Sequence, residues 1–264
     1  MIPKKIHYCW FGGNPLPELA QKCIESWKKY CPDYEIIEWN ESNFDINCCA
    51  YVREAYEAKK WAFVSDVARL YALVNHGGIY MDTDVEVLKP LDDILIYEAI
   101  SGFEARDRIP TGLMAAQKDQ ALFVEFLHDY DDIHFIKNDG SFDTTTNVTR
   151  ITNTCLKYGL QLDNTLQTVN GFTLFPYEYF CPKNFHTGVI ALTENTYTIH
   201  HFDGSWLAEE DKYSAMVREK YNKVLPDKVA GYIAKIAKFI FIVKRQGIKQ
   251  AIKATNNWLK SKNV

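Results

Sequence analysis

Residues 61–90 read WAFVSDVARLYALVNHGGIYMDTDVEVLKP, and the reading of this stretch decides the fold. Phe63, Val67, Leu70 and Val74 recur at helical spacing, which predicts a helix over residues 62–75 with one face in a core. Gly77-Gly78 then stops it, as glycines do just past a helix end. Residues 79–81 are short and apolar enough for a buried strand, and residues 85–88 resume a strand pattern that Pro90 ends. Asp82 and Asp84 therefore fall where one strand runs out and the next begins.

Side chains alternate along an extended backbone, so Asp82 and Asp84 are expected to point the same way and Thr83 away. Two converging carboxylates repel unless a proton or cation relieves them, and Mg²⁺ or Mn²⁺ is the usual oxygen-seeking partner. One element earlier, Asp66 and Arg69 stand three residues apart and share a helix face. Such a pair is either a local ion pair of a few tenths of a kcal/mol or part of the same site.

Taken together, Ser65-Asp66-x-x-Arg69 and Gly77-Gly78-Ile79-Tyr80-x-Asp82-x-Asp84 resemble the sugar-binding DXD region of bacterial glycosyltransferases of family 32. These are capsular or exopolysaccharide enzymes, more distantly related to yeast mannosyltransferases and clostridial glucosylating toxins. An isolated Asp-x-Asp is common; the whole pattern is far more specific. Two further stretches fall in the family's order. Residues 2–12, Ile-Pro-Lys-x-Ile-His-Tyr-x-Trp-Phe-Gly, resemble its opening strand and turn. There His7, Tyr8, Trp10 and Gly12 are placed at a strand's carboxyl end to receive a nucleotide, with core packing the alternative for Tyr8 and Trp10. Residues 200–206, His-His-Phe-Asp-Gly-Ser-Trp, resemble its closing motif.

Adjacent histidines at a strand end face opposite ways, so only one readily joins the acids. Through His201-x-x-Gly204 the resemblance favours His201, with His200 as the alternative, and sets Ser205 and Trp206 against a diphosphate. It implies a GT-A type α/β fold and a divalent Mn²⁺ or Mg²⁺ held by Asp82, Asp84 and His201. The donor it implies is a nucleotide sugar, a UDP-sugar, bound by Ser65, Asp66, Arg69, Tyr80 and Asp82. Transfer, with retention of configuration in the family, would be to a hydroxyl of a lipid-linked saccharide in capsular or extracellular polysaccharide synthesis. Asp66, Arg69, Asp82 and Asp84 are the residues expected to carry it.

The rest of the chain predicts a mainly parallel sheet with helices on both faces. A helix is expected to end near Tyr30, followed by a strand at 34–39 and a helix at 50–60. Downstream come strands at 99–103, 113–116 and 172–179, and helices at 120–130 and from 142–147 to 158, the last opening on hydroxyls that serve as caps or bind sugar. Seven cysteines lack CxxC or zinc spacing and are read as reduced thiols.

At 264 residues, 47% apolar and 14% aromatic, the chain can bury a sizeable core. No secretory leader or bilayer-long apolar run is evident, so a cytoplasmic protein is expected. Charge is uneven: from Lys223 onward ten basic residues face one acid, Asp227, for +9, against −13 over the first 222. The expected division is a catalytic domain at 1–222 and a basic amphipathic helical tail at 223–264. The tail interleaves Ile233, Ile236, Ile240 and Val243 with Lys235, Lys238, Lys244 and Arg245, which suits peripheral attachment to an anionic inner leaflet, or packing on the domain. No nucleic-acid partner is expected.

Two rival readings stand beside this one. A haloacid dehalogenase-type phosphohydrolase also uses an apolar strand ending in Asp-x-Asp, but wants Thr or Val where Glu86 stands, and on the first strand. A non-catalytic saccharide-binding or membrane adaptor protein would need neither carboxylate.

Overall fold

The computed structural model describes residues 1–104, 108–185, 187–204 and 208–261, with side chains to residue 255. The chain divides into two units, the first comprising residues 1–183 and 191–202, the second residues 184–190 and 203–264.

The first unit is built on a seven-stranded sheet in the order β2-β1-β3-β6-β5-β8-β7. Its strands are β1 (Lys5–Cys9), β2 (Glu35–Trp39), β3 (Gly78–Met81), β5 (Ala99–Gly102), β6 (Leu113–Ala116), β7 (Gln167–Val169) and β8 (Phe172–Phe175). Parallel pairing joins β2, β1 and β3, and β5 to β8, whereas β6 and β7 run against their neighbours. Five strands thus share one direction, and the fold is the helix-flanked, mainly parallel α/β type expected.

Pleating sorts the core into two layers. Tyr80, Met114 and Ala116 project into the layer under α2 (Ala50–Glu57), α3 (Trp61–His76) and α4 (Ala121–His128). Ile6, Ile79, Met81 and Leu113 project into the other, under α1 (Glu18–Tyr30), where Trp27 is wholly buried. α3 is amphipathic as the spacing requires, with Val67, Leu70 and Val74 inside. Its end needs glycine: Gly77 and Gly78 take φ +62° and +117°, and a Cβ on Gly78 would lie 2.8 Å from the Lys5 carbonyl oxygen.

Beyond β3 the backbone does not stay extended. Asp82, Thr83 and Asp84 form a turn closed by the Val85 N–H donating to the Asp82 carbonyl at 3.0 Å. The acids converge because the chain folds back, not because a pleat alternates through them. β4 (Val85–Val87) then leaves the main sheet and pairs antiparallel with β9 (Thr198–His200), setting Val85 opposite His200. α5 (Asn147–Lys157) opens on hydroxyls acting as caps: the Thr146 side chain accepts from the Thr149 N–H. All seven cysteines are free thiols, and Cys9, Cys23, Cys31, Cys155 and Cys181 are buried.

The second unit is helical: α6 (Glu209–Asn222), α7 (Asp227–Gln246) and α8 (Ile248–Ser261). α6 and α7 are tied by Arg218 to Asp227 at 2.8 Å, Arg245 to Glu209 at 2.9 Å, Lys238 to Asp211, and a Ser214 hydroxyl donating to the Ala234 carbonyl. Most of the +9 segment lies in α7 and α8. Among the described residues no helix is long and apolar enough to cross a membrane.

Candidate active site

Arg69 is the centre from which the site is assembled. It lies in the interior on the buried face of α3, where an unpaired guanidinium would be costly. It is fully engaged. Its Nη2 is 3.2 Å from Asp66 Oδ1, its Nη1 is 3.2 Å from Asp82 Oδ1, and Nη1 also donates to the Thr111 carbonyl at 2.7 Å. Nε donates to the Ser65 carbonyl, and the guanidinium lies 4.5 Å from the Tyr80 ring centre. Burial works against its charge, but Asp82, Tyr80 and Asp66 more than offset that and hold it protonated.

Those contacts fix the acids in turn. Asp82 receives the Tyr80 hydroxyl at 2.8 Å, and its own N–H donates to the Gly112 carbonyl at 2.8 Å. Asp66 is pushed up to about 6 by burial, with Arg69 pulling the other way. An ion pair three residues apart on a helix is ordinary; one that is buried and bridges to the carboxylate of Asp82, in the turn after β3, is a positioning device.

Asp82, Asp84 and His200 each offer one ligand atom within 4.8 Å of the others. His200 Nε2 is 3.3 Å from Asp84 Oδ1 and 4.0 Å from Asp82 Oδ2. Burial opposes protonation of this imidazole, yet the charge and hydrogen bond of Asp84 more than offset it, so its affinity for a proton is raised well above the usual. Its Nδ1 is buried with no hydrogen-bond partner. Two carboxylates and an imidazole at this separation could hold a divalent cation; the carboxylates are the hard oxygen ligands that Mn²⁺ and Mg²⁺ take, and the borderline imidazole nitrogen suits Mn²⁺ better than Mg²⁺. Gly112 leaves the room: a Cβ there would be 2.6 Å from His200 Cε1 and 3.3 Å from Asp82 Oδ2.

The structure therefore brings the other histidine to the acids. His201 faces away, with Nε2 2.9 Å from Glu86 Oε2 and its N–H donating to the Asp84 carbonyl. Counting the pleat from Asp84 fails by one because Asp84 belongs to the turn, and β4–β9 pairing starts at Val85 opposite His200.

In the opening strand, His7 and Tyr8 are core residues, and core packing is the alternative the sequence left for Tyr8. His7 is wholly buried and both ring nitrogens are used: Nε2 donates to the Gly77 carbonyl at 2.8 Å, and Nδ1 accepts from Trp39 Nε1 at 3.1 Å. Burial lowers it to about 4, so it is a neutral clamp between β1, β2 and the end of α3. Tyr8 is also in the core, edge-on to Trp27, with its hydroxyl donating to Glu38 at 2.6 Å. Trp10 and Gly12, by contrast, reach the surface just past β1: Trp10 donates to the Asn14 carbonyl, and the Gly12 N–H donates to Glu41 at 2.8 Å. The Ser65 hydroxyl donates to the Trp61 carbonyl. Ser205 and Trp206 lie outside the described residues.

A second group of side chains around Asp66 went unread in the sequence. Asn147 Nδ2 donates to the Asp66 carbonyl at 3.1 Å, while Arg150, one turn along α5, pairs with Asp143 at 2.6 Å and lies over the rings of Tyr51 and Tyr130. Tyr51 Oη, Tyr130 Oη, Asn147 Oδ1 and Arg150 Nε are all buried without a hydrogen-bond partner. Native interiors rarely leave several such atoms without water or another partner in one place, so this cluster is the least self-satisfied polar group beside the acids. The one sequence signal was Asn147 and Arg150 three residues apart behind a cap.

The turn after β3 of the mainly parallel sheet brings two carboxylates, and β9 of the small antiparallel pair a histidine, to one point beside a buried Asp–Arg pair, which defines a DXD-type metal-competent site. Residues 17–101 match the family model described as a glycosyltransferase sugar-binding region containing a DXD motif, and Asp82-Thr83-Asp84 is an Asp-x-Asp sequence within them. Inositol phosphoceramide mannosyltransferase 3 of Schizosaccharomyces pombe is 35% identical over 106 residues, 37% of this chain and 28% of that protein. Inositol phosphoceramide mannosyltransferase 1 of the same yeast is 30% identical over 105 residues, 36% of this chain and 31% of that one. Subversion of eukaryotic traffic protein A of Legionella pneumophila is 29% identical over 119 residues, 35% and 18%. The chain thus spans under a third of the length of these relatives. Among solved structures, the PaToxG glycosyltransferase superposes with a TM-score of 0.42 at 20% identity, covering 48% of this chain and 59% of that one. The galactosyltransferase LgtC gives 0.40 at 13% identity, covering 86% and 99%.

Proposed function

We propose that the chain is a metal-dependent glycosyltransferase of the GT-A type that takes a nucleotide sugar, a UDP-sugar, and passes the sugar to a saccharide hydroxyl. The observation that carries this reading is the convergence of Asp82, Asp84 and His200 within 4.8 Å, next to the buried Asp66–Arg69 pair. A divalent cation held by those three residues would offset the negative charge that builds on a leaving diphosphate.

The chain's own residues do the positioning. Arg69, locked by Asp66, Asp82, Thr111 and Tyr80, keeps both acids in place and leaves little freedom to lose on binding. Asp66, flanked by the unpartnered atoms of Tyr51, Tyr130 and Asn147, is suited to accept hydrogen bonds from sugar hydroxyls, and those atoms to complete them. His200 must be neutral to bind a cation, so its raised proton affinity makes metal binding favour higher pH. In this reading the acceptor is a lipid-linked saccharide, the setting capsular or extracellular polysaccharide synthesis with retention, and the place the cytoplasmic face of a membrane. The +9 segment after residue 222 supports that placement.

Calorimetry with UDP, with and without Mn²⁺, tests the proposal, followed by a screen of nucleotide sugars for metal-dependent hydrolysis. UDP should bind only with the cation. Equal binding in its absence, or phosphate-ester hydrolysis in place of sugar release, would overturn it.

A further inference from the structure

Within the helical unit, α7 has two unlike faces. α7 turns one face to α6, burying Ala230, Ala234 and Ile242. Its opposite face carries Val229, Tyr232, Ile236 and Ile240, spaced three, four and four residues apart, which at 3.6 residues per turn is one continuous stripe. All four are exposed, from 43% at Val229 and 46% at Ile240 to 60% at Ile236 and 66% at Tyr232. A helix of a folded domain does not ordinarily leave such a row in water.

Charge says what covers it. Exposed Lys228 and Lys235 run along one margin of the stripe and exposed Lys244 lies on the other, while the α7 acid, Asp227, is engaged by Arg218. On α8 the pattern repeats, with exposed Ile248 and Ile252 beside Lys249 and Lys253. Apolar side chains edged by lysines match a leaflet whose acyl region lies beneath anionic headgroups, with the lysine stems reaching up to the phosphates. Two copies of this face would instead bring lysine rows together, which repels.

The geometry points to the Val229–Tyr232–Ile236–Ile240 face of α7 as the surface that seats the protein on an anionic lipid bilayer, lying flat and not crossing it. The inference gives the membrane placement in the proposed function its contact residues. It rests on that reading for its purpose, but its test does not.

Co-sedimentation of the full chain with vesicles of phosphatidylglycerol and phosphatidylcholine, at about 50 and about 300 mM salt, measures it. Binding should be tight at low salt, weaker at high salt, and at least tenfold weaker on phosphatidylcholine alone. Ile236→Ser with Ile240→Ser should lose tenfold or more at both salts. Lys228→Gln, Lys235→Gln and Lys244→Gln together should lose about fivefold per lysine at low salt and flatten the salt dependence. All variants should bind UDP with Mn²⁺ as wild type does. An unaltered chain that ignores anionic vesicles at low salt overturns the proposal, as does a serine pair that binds undiminished. A self-associated species in sedimentation equilibrium that the serine pair dissolves would assign the face to a second copy instead. Should UDP binding be absent throughout while vesicle binding behaves as described, the transferase reading fails and the lipid face stands.

Discussion

His200 Nε2 lies 3.3 Å from Asp84 Oδ1, and the neighbouring His201 instead reaches Glu86 at 2.9 Å. Two histidines adjacent in sequence are thereby given separate tasks, one at the acids and one bracing β4. His200→Ala should abolish Mn²⁺-dependent UDP binding, and His201→Ala should leave it within about threefold while lowering stability by roughly 1 kcal/mol through the lost Glu86 contact. Calorimetry on the two variants decides; the reverse ranking would place the site on the other face.

Asp84→Asn should remove metal-dependent binding and transfer while leaving the fold intact. Relief of the repulsion with Asp82 is set against loss of the partly buried His200–Asp84 pair, so the metal-free protein is expected to melt close to wild type. Retention of activity within threefold would refute the ligand role.

Gly112→Ala tests the close approach. Its Cβ would sit 2.6 Å from His200 Cε1, so the imidazole must move or the strand shift, at a cost of about 1–3 kcal/mol. Metal affinity should fall at least tenfold, more than stability alone explains. A variant with wild-type Mn²⁺ titration would show that the ring has another place to go.

Arg69→Leu leaves Asp66 and Asp82 without their shared cation in a buried setting. Loss of roughly 3–5 kcal/mol in urea unfolding is expected, and Asp66→Asn should restore part of it.

Asp66 also predicts a pH signature. Its carboxyl is raised to about 6 from an unfolded value near 4, so folding favours the protonated form. The stabilisation is fully present below about pH 4 and is lost as pH rises through 6, by up to about 2–3 kcal/mol. His7, lowered to about 4, acts in the opposite sense, its contribution being lost as pH falls from 6.5 toward 4. Comparison with Asp66→Asn isolates the acid: the wild type should lose stability relative to that variant between pH 4 and 6. A constant difference across the window would contradict the burial argument.

What the sequence determined was local. The 3.6-residue recurrence of Val67, Leu70 and Val74 requires α3, Gly77-Gly78 requires its end, and the apolar residues 79–81 require a buried strand that delivers Asp82 to the sheet's carboxyl edge. Asp66 and Arg69 share a face by helix geometry alone. Each depends on backbone periodicity, which neighbouring residues carry. What only the tertiary structure decided depended on contacts across the chain. The Asp82–Val85 turn broke the pleat count and chose His200; Trp39 and Gly77 took both nitrogens of His7 into the core; α5 brought Asn147 and Arg150 behind Asp66. No periodicity encodes such pairings, because a side chain's facing is set by the turn or bulge it follows and by the partner strand it meets, and both are fixed only when the sheet closes.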